Sequence, residues 1–128
     1  MDHANQTERM LHRHTAEMFA SEEAGKKYYL RRTPQIEPIK SFSEYRRQHD
    51  QIVKYFSERL NEAAHDPSLT TRDKALASWI EGLNLNLSLK ALQAAGDSRW
   101  TILDPRVSNL KRGIGVAMEL LKQRGCNA

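Results

Sequence analysis

The stretch GLNLNLSLKAL, Gly82 to Leu92, constrains the fold more than any other part of the sequence. Polar residues alternate in it with four leucines, Leu83, Leu85, Leu87 and Leu89. This alternation is typical of a strand with one buried face. However, a threonine cap near Thr70 and a stop at Gly96 enclose about 25 residues, far more than the 5 or 6 of a typical strand. In a helix, a step of two residues turns by roughly 200°, so alternating leucines fall on opposite faces. We therefore predict a helix that is buried on two sides.

The leucine-rich helix is predicted to carry two separate apolar faces. One face holds Leu76, Ile80, Leu83, Leu87 and Ala94. The other holds Leu85, Leu89 and Leu92. A helix of this kind needs a neighbour on each side, so it should be the middle one of three packed helices. Gly82 costs about 1 kcal/mol relative to alanine in a helix, and we interpret it as a close crossing point or else a tolerated defect.

Capping signals predict the two flanking helices. Ser41-x-x-Glu44 has the pattern of a capping box, and Asp104-Pro105 is typical of a helix start. The connection before Asp104 contains Trp100, Ile102 and Leu103, which we interpret as residues that anchor this loop to the core. The sequence therefore predicts an all-α fold whose core has three long helices, at about 41–65, 71–95 and 105–124.

The first forty residues lack the pattern of a long core helix. Residues 1–32 contain a short apolar stripe with helical spacing, and we interpret them as a helical arm, in which a second helix could start at Ser21. Pro34 and Pro38 lie too close together for a helix, so residues 33–40 should form an extended connector. With a helical core at 41–125, these parts make a single domain of residues 1–128.

Composition narrows the class of protein. Hydrophobic residues make up 39% of the chain, which is enough for a folded core. No apolar stretch has the length of a signal peptide or a membrane span. The lone Cys126 fits a reducing compartment. We therefore expect a cytoplasmic protein that does not enter a membrane.

Basic residues cluster around the connector. Residues 26–47 include seven basic and two acidic side chains, a local net charge of +5 in a chain with a net charge of +4. Interleaved aromatic rings make this mixture suitable for nucleic acid, or else the basic groups form a solvated face. The candidate nucleic-acid-binding residues are Lys26, Lys27, Arg31, Arg32, Arg46 and Arg47. A second basic patch covers residues 99–124.

The sequence lacks the motifs of common active sites. It has no glycine-rich phosphate loop and no nucleophile elbow. His49 lies on the apolar stripe of the first long helix, and we interpret it as a buried structural residue, with a general base as the alternative. Glu62-x-x-His65 has only half of the pattern of a metal-binding helix pair. We expect no enzyme, no catalytic residue, no metal site and no cofactor.

Two hypotheses of function follow. The first is a non-catalytic helical interaction or regulatory protein that binds a partner protein. Aromatic side chains dominate interface energetics, so the candidate anchors are Tyr28, Tyr29, Leu30 and Trp100. The other interpretation of these four residues is structural: they tie the arm, and the loop that contains Trp100, to the core. The alternative function is a nucleic-acid-binding accessory or regulatory protein that uses the basic cluster. Either hypothesis is compatible with a homo-oligomer.

Overall fold

Helices form the framework of the protein. The computed structural model describes residues 17–31 and 36–123, and these ranges contain no strand. The helices are α1 Glu22–Lys27, α2 Phe42–Ala64, α3 Thr71–Ala95 and α4 Pro105–Gln123. None of these four is both long enough and apolar enough to cross a membrane. The predicted all-α fold with three long core helices is confirmed.

Side-chain caps determine where α2 and α3 begin. Ser41 Oγ accepts a hydrogen bond from the Glu44 N–H at 3.2 Å, and Thr70 Oγ1 accepts one from the Asp73 N–H at 3.1 Å. Each bond satisfies an amide that has no partner inside the first turn of its helix. The capping box predicted at Ser41 is half formed, because the Glu44 carboxylate accepts hydrogen bonds from Arg47.

The leucine-rich helix α3 lies in the middle of the core, as the sequence predicts. It packs along both α2 and α4, whereas α2 and α4 have little contact with each other. A Cβ atom on Gly82 would overlap the side chain of Ile114 on α4. The absence of a side chain at Gly82 therefore permits the close crossing of the two helices.

Burial along α3 differs between its two predicted faces. Leu85 and Leu92 are fully buried and Leu89 is 8% exposed, as expected for the second face. On the first face Ile80 is fully buried, but Leu87 is 37% exposed. The prediction that the whole first face is buried is therefore wrong beyond its N-terminal half. The reason is that the residues of the arm cover only the N-terminal half of this face. Their core cluster includes Leu76, Ala77 and Ile80 on α3 but not Leu87.

In the described part of the arm, residues 17–31, Glu17 is helical and a short helix, α1, follows after a turn. Ser21 Oγ accepts a hydrogen bond from the Ala24 N–H at 3.1 Å, so Ser21 caps α1 as a separate helix that begins at Glu22. Residues 28–31 continue without helix, so the helix of the arm ends earlier than the predicted arm of 1–32. Residues 1–16 and 32–35 lie outside the described residues.

Side chains of α2 and α3 hold the backbone of arm residues 27–31. Asn84 Nδ2 donates to the Tyr29 carbonyl at 3.1 Å, and Asn84 Oδ1 accepts from the Arg31 N–H at 2.8 Å. Arg59 Nη2 donates to the Lys27 carbonyl at 2.6 Å. These bonds satisfy backbone groups that a continued α1 would otherwise have paired.

A buried ion pair joins α2 and α3 beside the arm. Arg59 Nε lies 3.1 Å from Glu81 Oε2, and Glu81 has no exposed surface. Arg31 Nη1 lies 4.0 Å from the same oxygen. Because a carboxylate without solvent needs close cations and hydrogen bonds, this pair requires the three segments to stay together.

The described part of the connector, residues 36–40, has no helix, in agreement with the prediction. Ile39 donates its N–H to the Ala95 carbonyl at 2.9 Å, at the end of α3. Ile36 and Ile39 pack into a core cluster with Tyr45 and Leu92. The connector is therefore part of the packed fold at the end of α3.

Candidate functional site

Three of the predicted partner anchors, Tyr28, Tyr29 and Leu30, lie in the arm. Tyr28 has no exposed surface, and its hydroxyl donates to Asp66 Oδ2 at 2.9 Å. Leu30 packs against the core cluster of the arm. The half-buried Tyr29 ring lies 5.3 Å from the Arg31 guanidinium carbon. A partner could reach Tyr28 only if the arm left the core.

The fourth predicted anchor, Trp100, lies in the turn between α3 and α4. Its ring centroid is 5.3 Å from that of Tyr45 and 6.1 Å from that of Phe42. Trp100 and Ile102 both pack against the cluster of Tyr45 and Leu92. Their predicted role as core anchors of the loop is therefore confirmed.

Several groups of the predicted nucleic-acid cluster are engaged in ion pairs. Lys27 Nζ lies 3.1 Å from both Asp66 and Glu62, and these two hydrogen bonds raise the pKa of Lys27. Lys26 Nζ lies 3.5 Å from Glu22, on the surface of α1. Ion pairs of this kind reduce the charge available to a phosphate backbone.

The arginines of this cluster have different surroundings. Arg31 donates to the Tyr55 hydroxyl at 3.0 Å, and Arg47 pairs with Glu44 on the same helix. Arg46 is exposed, and its side chain makes no ion pair or hydrogen bond within the described ranges. Arg32 lies outside the described residues. The cluster therefore presents Arg46 as its one unpaired guanidinium among the described residues.

His49 lies at the junction of α2 and the start of α4. It is 6% exposed, and its Nδ1 atom lies 3.4 Å from Asp50 Oδ1 and 3.9 Å from Asp104 Oδ2. These three ligand atoms have a spacing that could hold a metal ion, the one such group among the residues that the structure describes.

Arg106 already occupies the space between the two carboxylates. Its Nη2 atom donates to Asp50 at 2.9 Å and to Asp104 at 2.6 Å. Hydrogen bonds from Arg106 lower the pKa of Asp104, which keeps this carboxylate charged. The arrangement is therefore an ion-pair cluster that joins α2 to α4.

An open groove of about 1140 Å³ lies between α3 and the start of α4. Its wall on α3 is formed by Asn86, Leu89, Lys90 and Gln93. Its wall on α4 is formed by Val107, Ser108, Lys111 and Arg112. Residues three or four apart share one face of a helix, so each wall is a continuous stripe. Tyr45, His49 and Trp100 also line the groove.

The groove carries unbalanced positive charge. Three exposed cations line it, and none of them makes a side-chain ion pair or hydrogen bond with the described part of the chain: Lys90, Lys111 and Arg112. Two carboxylates also line it, but Asp97 pairs with Arg99 and Asp104 pairs with Arg106. Hydrogen bonds from Arg99 lower the pKa of Asp97 to about 2. The net unpaired charge of the groove is therefore positive.

Leu103 lines the same groove and is 91% exposed. The sequence interpretation of Leu103 as a core anchor is wrong: Trp100 and Ile102 pack against the cluster of Tyr45 and Leu92, whereas the Leu103 side chain lies in solvent. Burying an exposed leucine is worth about 1.5–3 kcal/mol, so this side chain favours an apolar contact.

Sequence reasoning found only part of the groove. The basic patch at 99–124 includes Lys111 and Arg112, but Lys90 was missed. The polar stripe that contains Lys90 was a usable signal, because Asn86, Lys90 and Gln93 follow helical spacing between the two leucine faces. The proximity of Lys90 to Lys111 depends on the crossing of α3 and α4, which no local pattern specifies.

No protein-family model, no curated protein and no solved structure matches this chain. Inferences about its function therefore depend on the geometry and chemistry of the groove.

Proposed function

We propose that the protein is a non-catalytic helical module that binds a partner protein through the groove between α3 and α4. The observation that carries this proposal is Leu103, an almost fully exposed leucine at a concave surface. Protein-binding grooves commonly combine an apolar contact at the centre with a polar rim. The groove offers both kinds of group, because the exposed Leu103 and the half-buried Val107 lie among polar and basic residues.

Site-specific photocrosslinking in cells that produce the protein tests this proposal. A photoreactive amino acid replaces Leu103 in the full chain, and a second version carries it at exposed Glu58 on α2 as the matched control. We expect a discrete crosslinked product that contains a second polypeptide from position 103 and none from position 58. The same product from both positions, or none from position 103, would contradict the proposal.

Nucleic-acid binding is the alternative function, and Arg46 supports it. This exposed arginine lies one helical turn from Phe42, which is 40% exposed, so a cation and an aromatic ring are available on one surface. Fluorescence anisotropy with labelled single-stranded and duplex oligonucleotides at several salt concentrations tests this alternative. Tight binding that weakens steeply with salt and is lost in Arg46→Ala would favour it. Absence of binding at low salt would exclude it.

A further inference from the structure

Resting on the proposed function, we infer that the partner contributes an acidic amphipathic helix to the groove. The first observation is charge complementarity. Lys90 extends from one wall, and Lys111 and Arg112 extend from the other, while both lining carboxylates are already neutralised by arginines. Complementary charges across an interface determine which partner binds and increase the rate of association.

The second observation is the arrangement of apolar and basic groups. Val107 lies on the same stripe as Lys111 and Arg112 and is half-buried, and the exposed Leu103 lines the same groove. A ligand that satisfies both kinds of group needs apolar side chains on one face and carboxylates on its flanks. Helical ligands present apolar residues in this way when they dock into a groove between helices.

The third observation is the size of the walls. The stripe from Asn86 to Gln93 extends over about 10 Å of α3, given a rise of about 1.5 Å per residue. About two turns of a ligand helix would cover such a wall. Nucleic acid fits the cations but makes no use of Leu103, and the two aromatic rings that line the groove, Tyr45 and Trp100, are packed against each other in a core cluster.

Anisotropy measurements with three labelled synthetic helical peptides test the inference on the full chain. All three carry the same leucine face, and their remaining positions are glutamate, glutamine or lysine. We expect the glutamate peptide to bind about tenfold or more tightly than the glutamine peptide, and the lysine peptide to bind weakest. The charge-reversed variant Lys90→Glu/Lys111→Glu/Arg112→Glu should invert this order.

The matched control variant is Lys40→Glu/Lys54→Glu/Lys122→Glu, which changes the net charge equally at exposed positions outside the groove. It should keep the original order of affinities. Circular dichroism checks the fold of both variants. Should the charge-reversed variant fail to fold, Lys90→Gln/Lys111→Gln/Arg112→Gln replaces it and should remove the preference between the three peptides.

Each other outcome has a definite meaning. Equal affinity for the three peptides overturns the acidic class but leaves partner binding through the groove intact. Absence of binding by all three overturns the helical-ligand inference, while the crosslink at position 103 decides the proposed function separately. An oligonucleotide that displaces the glutamate peptide from the groove and binds more tightly than it does overturns the inference in favour of nucleic acid.

Discussion

Asn84 and Arg31 are 53 positions apart, yet the Arg31 N–H donates to Asn84 Oδ1 at 2.8 Å. The same side chain donates through Nδ2 to the Tyr29 carbonyl and lies 3.3 Å from Glu81 Oε1. Asn84 is 3% exposed, so its amide depends on these partners. One buried side chain therefore recognises the backbone of the arm and fixes its position on α3.

Asn84→Ala should destabilise the fold by about 2 kcal/mol, because it leaves buried backbone groups of the arm without partners. Hydrogen exchange at the Arg31 amide should accelerate more than exchange at amides within α4. Asn86→Ala is the matched control, since Asn86 lies two residues away and lines the groove. Urea unfolding of both variants measures the difference, and equal stability would show that the arm is held in another way.

Gly82→Ala should destabilise the protein by about 1–3 kcal/mol, despite the higher helix propensity of alanine. The added methyl group would overlap Ile114, which is 9% exposed and has little room to move. Gly113→Ala is the control, because a Cβ atom at that position meets no other atom within 4 Å. It should stabilise the protein by up to about 1 kcal/mol. Thermal unfolding that places both variants on the same side of the wild-type would refute the close crossing.

Leu85→Ala and Leu87→Ala should differ strongly in stability. Leu85 is fully buried, so its truncation should cost about 2–5 kcal/mol. Leu87 is 37% exposed, so the same change there should cost much less, about 1 kcal/mol. Chemical denaturation compares the two variants. A larger loss for Leu87→Ala would mean that the first face of α3 is covered.

Stability should fall in acid partly through Asp66. Hydrogen bonds from the Ser68 hydroxyl and backbone, and then from Lys27 and Tyr28, hold the pKa of Asp66 below its ordinary value. The unfolded chain, with an Asp pKa of about 3.9, therefore binds the proton more readily than the folded chain. This contribution is complete above about pH 5 and is lost as the pH falls through 3.9 towards the lower folded pKa.

Asp66→Asn should consequently reduce the slope of unfolding free energy against pH between about pH 5 and pH 3. Tyr28→Phe removes one of the hydrogen-bond donors and keeps the ring, so its slope should lie between those of Asp66→Asn and the wild-type. Urea titrations at a series of pH values provide the comparison. Identical slopes in all three proteins would contradict the role of Asp66.

The long helices could be predicted from the sequence because their signals are local. Ser41 and Thr70 cap amides three residues ahead, and the spacing of leucines on α3 specifies two faces. The exposure of Leu87 could not be predicted, because periodicity identifies a face but does not identify what covers it. Leu103 was likewise misassigned, since its flanking residues alone do not reveal how many side chains the core can accept.

The candidate site was less predictable than the fold. Aromatic residues such as Tyr28 were reasonable anchors by type, but the arm places this ring inside the core. The groove combines Lys90 with Lys111, residues from two helices whose relative position depends on the Gly82–Ile114 crossing. Composition and spacing describe each helix separately, whereas this surface exists only after the helices have packed.

The guanidinium of Arg59 links detachment of the arm to separation of α2 from α3, two events that could otherwise occur independently. It donates both to Glu81 on α3 and to the Lys27 carbonyl in the arm. Detachment of the arm would leave this cation with fewer partners next to a carboxylate that has no contact with solvent. Partially opened molecules should therefore be scarce, and the arm, α2 and α3 should unfold as one cooperative unit.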